Sequence, residues 1–272
     1  MKNSIRLIVR LLTILLAGGT LLACAATPEA VSQDARLLKA TALFAKRCEV
    51  AGEKIYRTVD NVEGIFLLKR RPADSNYYDQ FALNDPYGND SGGDGYIETF
   101  LRGGYETSPS GSGRHSHVGY LYVDVLDDDG IRYRYTGGVR DIEAVGSAGK
   151  KLVRKAFVPN KVVGPSSQPR YGVTYKDVST PEERDYWIAG SLLKIVDLQT
   201  NEVIAERLGY MMDNRQGDRA SGRAPWQFAA NNACPAFSDP QHAWLSQFGA
   251  ADKFVERVLK PTDASRSEPG HP

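Results

Sequence analysis

Histidine and cysteine, the side chains most often recruited for catalysis and metal binding, are scarce here: four histidines and three cysteines in 272 residues. His115 and His117 fall in a Gly/Ser-rich stretch and His271 in the polar end, where nothing holds an imidazole in place as a general base. His242 opens a helical pattern beside Trp244, a capping or packing position. Gly111-Ser112-Gly113 has neither the spacing nor the strand-to-helix context of a hydrolase nucleophile elbow. These shortages argue against a conventional histidine-based enzyme, and the sequence indicates no cofactor and no metal site. A surplus of charge is missing too. Without the first 23 residues, 31 basic side chains face 33 acidic ones, a net charge near −2, so the basic footprint of a nucleic-acid binder is absent. No internal repeat is evident.

What is present begins at the N-terminus. Lys2, Arg6 and Arg10 precede the apolar run Leu11–Ala23, long enough for a secretory h-region but too short for a comfortable bilayer crossing. The run ends in Leu21-Leu22-Ala23-Cys24, which resembles a bacterial lipobox. That resemblance implies a signal peptide over residues 1–23, lipid attachment at Cys24, and Cys24 as the new N-terminus. Ala25 and Ala26 follow rather than an aspartate, which implies transfer to the outer membrane, facing the periplasm. Several acyl chains anchor firmly where one binds only marginally. In an oxidising compartment the two remaining cysteines, Cys48 and Cys234, most simply form one bridge, the alternative being two buried thiols.

Residues 24–33 read as a tether, 34–260 as a single domain and 261–272 as a disordered polar tail. Leu37, Leu38, Leu43 and Phe44 recur near helical spacing from Asp34 to Val50, with Gly52 as the stop. Strands are expected over 55–59, 64–69, 96–101, 118–126, 131–136, 171–175, 187–198 and 202–212. Asp128-Asp129-Gly130 fits a three-residue hairpin loop with Gly130 left-handed, setting Val125 against Tyr133, Val123 against Tyr135 and Asp124 against Arg134. A second hairpin turns at Gln199-Thr200-Asn201, placing Lys194 opposite Glu206 and Val196 opposite Ile204, in a sheet covered on one side. Thr180-Pro181-Glu182-Glu183 is a capping box that predicts one helical turn. Gly103–His117 reads as a mobile loop, and 137–169 as a solvated basic stretch with Lys150, Lys151, Arg154, Lys155 and Lys161. A closing amphipathic helix is expected from Pro240 to Leu259. The fold class is therefore α+β, mainly antiparallel sheet, with a helix at each end.

Two stretches invite a functional reading. In Asn84–Gly95, Asp90 as a first calcium ligand puts Asp94 fifth and Gly95 sixth, but Gly92 stands third and Leu101 twelfth, where an EF-hand needs an acidic ligand. A long polar turn explains it better. Tyrosine is the stronger signal: 14 against nine phenylalanines, with Tyr77, Tyr78, Tyr87 and Tyr105 in loops. A Gly- and Asp-rich loop adds Arg215, Arg219, Arg223 and Trp226. Tyr, Trp and Arg dominate the energetics of protein interfaces, so Tyr87, Arg215, Arg219, Arg223 and Trp226 are the candidate partner-binding residues.

Three further stretches, Arg47-Cys48 through Lys54–Gly64, Arg184–Gly190 and Val196–Arg207, resemble a family of proteobacterial lipoproteins with no known catalytic motif. That family is similar to the periplasmic immunity lipoproteins that neutralise type VI secreted lipase effectors. The resemblance implies a binding protein whose partner is a secreted lipase-type toxin. A structural or assembly lipoprotein of the outer membrane is the alternative.

Overall fold

The computed structural model describes residues 33–82, 92–103, 105–107, 113–115, 119–127, 129–145, 149–237, 247 and 249–262. Cys24, Tyr87, His242 and most of the acidic 84–95 stretch lie outside them. The described residues from Arg36 onward form one unit. Helix α1 (Gln33–Cys48) is followed by β1 (Gly52–Ile55), β2 (Val59–Val62), β3 (Gly64–Leu67) and α2 (Gly93–Arg102). Next come β4 (Tyr105–Thr107), β5 (Gly113–His115), β6 (Tyr122–Leu126), β7 (Arg132–Val145), β8 (Lys151–Val163) and β9 (Tyr171–Asp177). The remainder is α3 (Pro181–Asp185), β10 (Ile188–Asp197), β11 (Glu202–Met212), α4 (Pro225–Ala229), β12 (Ala233–Cys234), α5 (Ala250–Val258) and β13 (Leu259–Pro261).

Nine of the strands form one sheet in the order β1-β11-β10-β9-β3-β6-β7-β8, with β12 also on β11. Its pairs are antiparallel except where β3 runs parallel to both β6 and β9. The α+β expectation of a mainly antiparallel sheet therefore holds. Side chains alternate between faces. One face (Ile65, Leu67, Val123, Val125, Val173, Leu193 and Ile195) forms the main core with Ile97 and Phe100 of α2 and Phe254, Val255 and Val258 of α5. At one end of the other face, Ala40 and Phe44 of α1 meet Ile188, Tyr210 and Met212. Cys48 ends α1 and is bonded to Cys234, which sits opposite Tyr210 on the edge of β11. The expected bridge is thus present and ties α1 to the edge of the sheet.

The first hairpin has the expected register, Val123↔Tyr135, Asp124↔Arg134 and Val125↔Tyr133, with Gly130 at φ 76°. Asp124 is fully buried and takes two hydrogen bonds from Arg134, at 2.6 and 3.0 Å, while the guanidinium lies 3.7 Å from the Tyr122 ring centroid. The second hairpin differs by one residue. Its loop is Leu198–Asn201, Val196 pairs with Val203, and a bulge restores Ile195↔Ala205 and Lys194↔Glu206. Val196 therefore does not face Ile204, whose carbonyl instead accepts from the backbone of Tyr56 and Arg57. The capping box forms as expected: Thr180 accepts from the Glu183 N–H, and Glu183 from the Thr180 N–H.

Other expectations need correction. Residues 96–101 are helical, because Tyr96, Ile97, Phe100 and Leu101 recur at helical spacing and bury one face of α2. The strand expected over 55–59 is instead split between β1 and β2. Gly103–His117 contains the short hairpin β4–β5. The stretch 137–169 is mostly strand, since β7 and β8 pair continuously from Tyr133↔Val163 to Val145↔Lys151. Of the closing helix, α5 begins at Ala250; residues 240–246 lie outside the described residues.

Candidate functional site

The arginine-rich loop after β11 is built inward from Asp213. This carboxylate is fully buried and accepts from the backbone of Arg215 at 3.1 Å and Gly217 at 2.8 Å, and from both terminal nitrogens of Arg223, one at 2.9 Å. Such an arrangement folds the loop around a single anion, and Arg223 completes its neutralisation. Gly217 has φ 86° and lies flat against Trp187; a Cβ there would come within 2.3 Å of the indole nitrogen. Only glycine fits that approach. Asp218 accepts from the Ala220 N–H and pairs with Arg215, and the backbone hydrogen bond holds its carboxyl below the ordinary value.

Beneath this loop, Trp187 and Trp226 pack with ring centroids 4.9 Å apart, among Ala189, Met211, Ala229, Ala230 and Phe237. Pro225 starts α4 and turns Trp226 inward, leaving it 1% exposed. Trp226 then anchors a second loop, residues 76–82. Its backbone N–H donates to the Tyr77 carbonyl at 3.3 Å and its indole N–H to the Asp79 carbonyl at 2.8 Å. Arg219 donates to the Tyr78 carbonyl and Arg184 to that of Gln80. Four successive carbonyls of one loop are thus fixed by three residues distant in sequence. Inside the loop, Asn76 accepts from Asp79 N–H at 2.8 Å, and Asp79 from Phe81 and Ala82 at 2.9 and 3.1 Å. Gln80 reaches back to the carbonyls of Arg184 and Asp185 at 2.6 and 2.9 Å.

Arg184 supports both loops from below. It is fully buried, pairs with Asp177, and lies 5.2 Å from the Trp226 ring centroid. Glu183 beside it pairs with Arg47 of α1. The outer surface of the two loops is different in character: Tyr78, Phe81 and Phe228 are exposed at 47%, 56% and 43%, with Arg215 and Arg219 also exposed. Arg219 lies 5.3 Å from the Tyr78 ring centroid and Arg223 4.8 Å from that of Phe228.

The structure therefore sorts the expected residues. Arg215 and Arg219 lie at the surface, Arg219 beside the exposed Tyr78 and Arg215 paired with Asp218. Trp226 and Arg223 do not: the first is core and the second neutralises a buried carboxylate, so both build the surface rather than offer themselves to a partner. Tyr87 lies outside the described residues. Phe81 and Phe228 are additions, which hydropathy alone would place in the core. Six of the 14 tyrosines are structural, with Tyr96, Tyr120, Tyr135, Tyr171, Tyr175 and Tyr210 buried.

The buried carboxylates Asp124, Asp197 and Asp213 are each held by arginine. Asp94, the one described member of the supposed calcium loop's ligands, lies in the first turn of α2 and faces Arg70 at 3.6 Å. Among the described residues, no three His, Cys, Asp or Glu side chains gather as a metal site, and no helix is long and apolar enough to cross a membrane. No protein-family profile, curated protein or solved structure matches the chain.

Proposed function

We propose that this is a binding protein of the bacterial envelope, lipid-anchored through Cys24 at the periplasmic side of the outer membrane. In this reading it is an immunity protein that neutralises a secreted lipase-type toxin by covering its active site. The observation that carries the reading is the pair of loops 76–82 and 213–228, whose backbones are fixed from within while Tyr78, Phe81, Phe228, Arg215 and Arg219 face outward. A prefixed loop loses little entropy on binding, and exposed aromatic and arginine side chains supply most interface energy. The reading calls for no nucleophile, metal or cofactor.

The test is to express the tagged chain in its own host under conditions of effector secretion and identify what co-purifies from the envelope. A single stoichiometric lipase-type toxin, with restored survival of poisoned cells, is the expected result. Recovery of envelope assembly components alone would overturn the immunity reading in favour of a structural lipoprotein.

A further inference from the structure

Beyond the pair Val139↔Phe157, where Phe157 still packs on the main core, β7 and β8 continue as a two-stranded arm to Val145↔Lys151. Its register sorts the side chains by face. One face pairs its charges, Lys155 with Asp141 at 3.0 Å and Lys151 with Glu143 at 3.7 Å, and also carries the exposed Val145 and Val153. The opposite face carries Arg140, Ile142, Ala144, Leu152, Arg154 and Ala156, two guanidinium groups and four apolar side chains with no carboxylate among them. Leu152 is 43% exposed, and Arg140 and Arg154 are exposed. Residues 140–155 hold five basic against two acidic side chains, in a chain otherwise near neutrality.

The outer edge of β8 is a poor template for strand addition, because Pro159 lacks a donor just before the arm and Lys151 and Lys155 flank the edge within it. A second copy paired antiparallel along β8 would also bring lysines together. No aromatic residue lies between Gly138 and Ala156, so the arm lacks the anchors that protein hot spots use. We infer that this carboxylate-free face of the arm rests on an anionic phospholipid surface. Arg140 and Arg154 bind lipid phosphates, and Ile142 and Leu152 settle at the headgroup boundary, the combination that places amphipathic elements on membranes. The contact uses none of the residues of loops 76–82 and 213–228, so it stands or falls apart from the partner reading.

Trypsin reads this contact directly, because Lys150 and Lys151 sit at the end of the arm. The full chain is mixed with vesicles of phosphatidylcholine alone or with phosphatidylglycerol added, and cleavage after Lys150 and Lys151 is followed by mass spectrometry. Anionic vesicles should slow that cleavage at least about fivefold, and high salt or the double variant R140E/R154E should restore it. Both substitutions are at exposed positions, and unchanged circular dichroism and melting confirm folding. Equal cleavage on the two vesicle types overturns the inference. So does protection by a soluble acidic protein but not by vesicles, which would put a macromolecular partner on the arm instead.

Discussion

Asp213 and Arg223 share one charge pair whose arginine side chain is only 9% exposed, and the loop backbone is wrapped around the acid. Removing the acid strands a cation and two backbone N–H groups. Asp213→Ala should therefore cost about 3–5 kcal/mol of unfolding free energy, measured by urea denaturation, and D213N/R223M should cost clearly less. Asp197 is fully buried at the mouth of the second hairpin. Arg170 and then Arg57 donate to its carboxylate and hold its pKa at about 2, against 3.8 ordinarily. A lowered folded value means stability that is complete above about pH 4 and lost as pH falls through about 2. Acid titration of the wild type should show this loss, up to about 2 kcal/mol, and Asp197→Asn should remove that part of the pH dependence. The local part of this chemistry was legible in the sequence. The Asp124–Arg134 pair follows from a turn three residues long with Gly130 at its end. The role of Trp226 was not legible, because its indole partner, the Asp79 carbonyl, is 147 residues away.

Elements were readable where their pattern was short-range and unshared. The Thr180 capping box and the Gly130 turn specify themselves within a few residues. The stretch 96–101 misled because Tyr, Ile, Thr and Phe favour strands, while packing of one helical face decided the outcome. The extended β7–β8 pair was obscured by glycine, lysine and proline, residues that suit a solvated arm and an edge strand as well as a loop. The second hairpin shows how a turn one residue too long is absorbed by a bulge, so that the register beyond it is unchanged. The Cys48–Cys234 bridge joins α1 to β12 across 186 residues, and a closed loop of that length stabilises by up to about 5 kcal/mol in the chain-entropy model. C48A/C234A should lower the melting temperature markedly, and reductant should do the same to the wild type while leaving the variant unchanged; equal melting of the two proteins would contradict a stabilising bridge.

On the scale of the whole molecule, the sheet supplies a rigid base and the two tryptophans a local core on which two loops are mounted. Charge is arranged to match. The interior carboxylates are neutralised by arginine, while the outer side of the loops keeps Arg219 beside the Tyr78 ring and leaves Phe81 and Phe228 exposed. The central claim is that this outer side is where the protein meets its partner. Phe81 and Phe228 test it most cleanly, since their rings are exposed and loop 76–82 is held by its own carbonyls. The decisive measurement is the dissociation constant for the proposed effector partner, wild type against F81A/F228A, by calorimetry. The proposed surface predicts a loss of at least about tenfold in affinity with an unchanged melting temperature; equal affinity in the two proteins would contradict it.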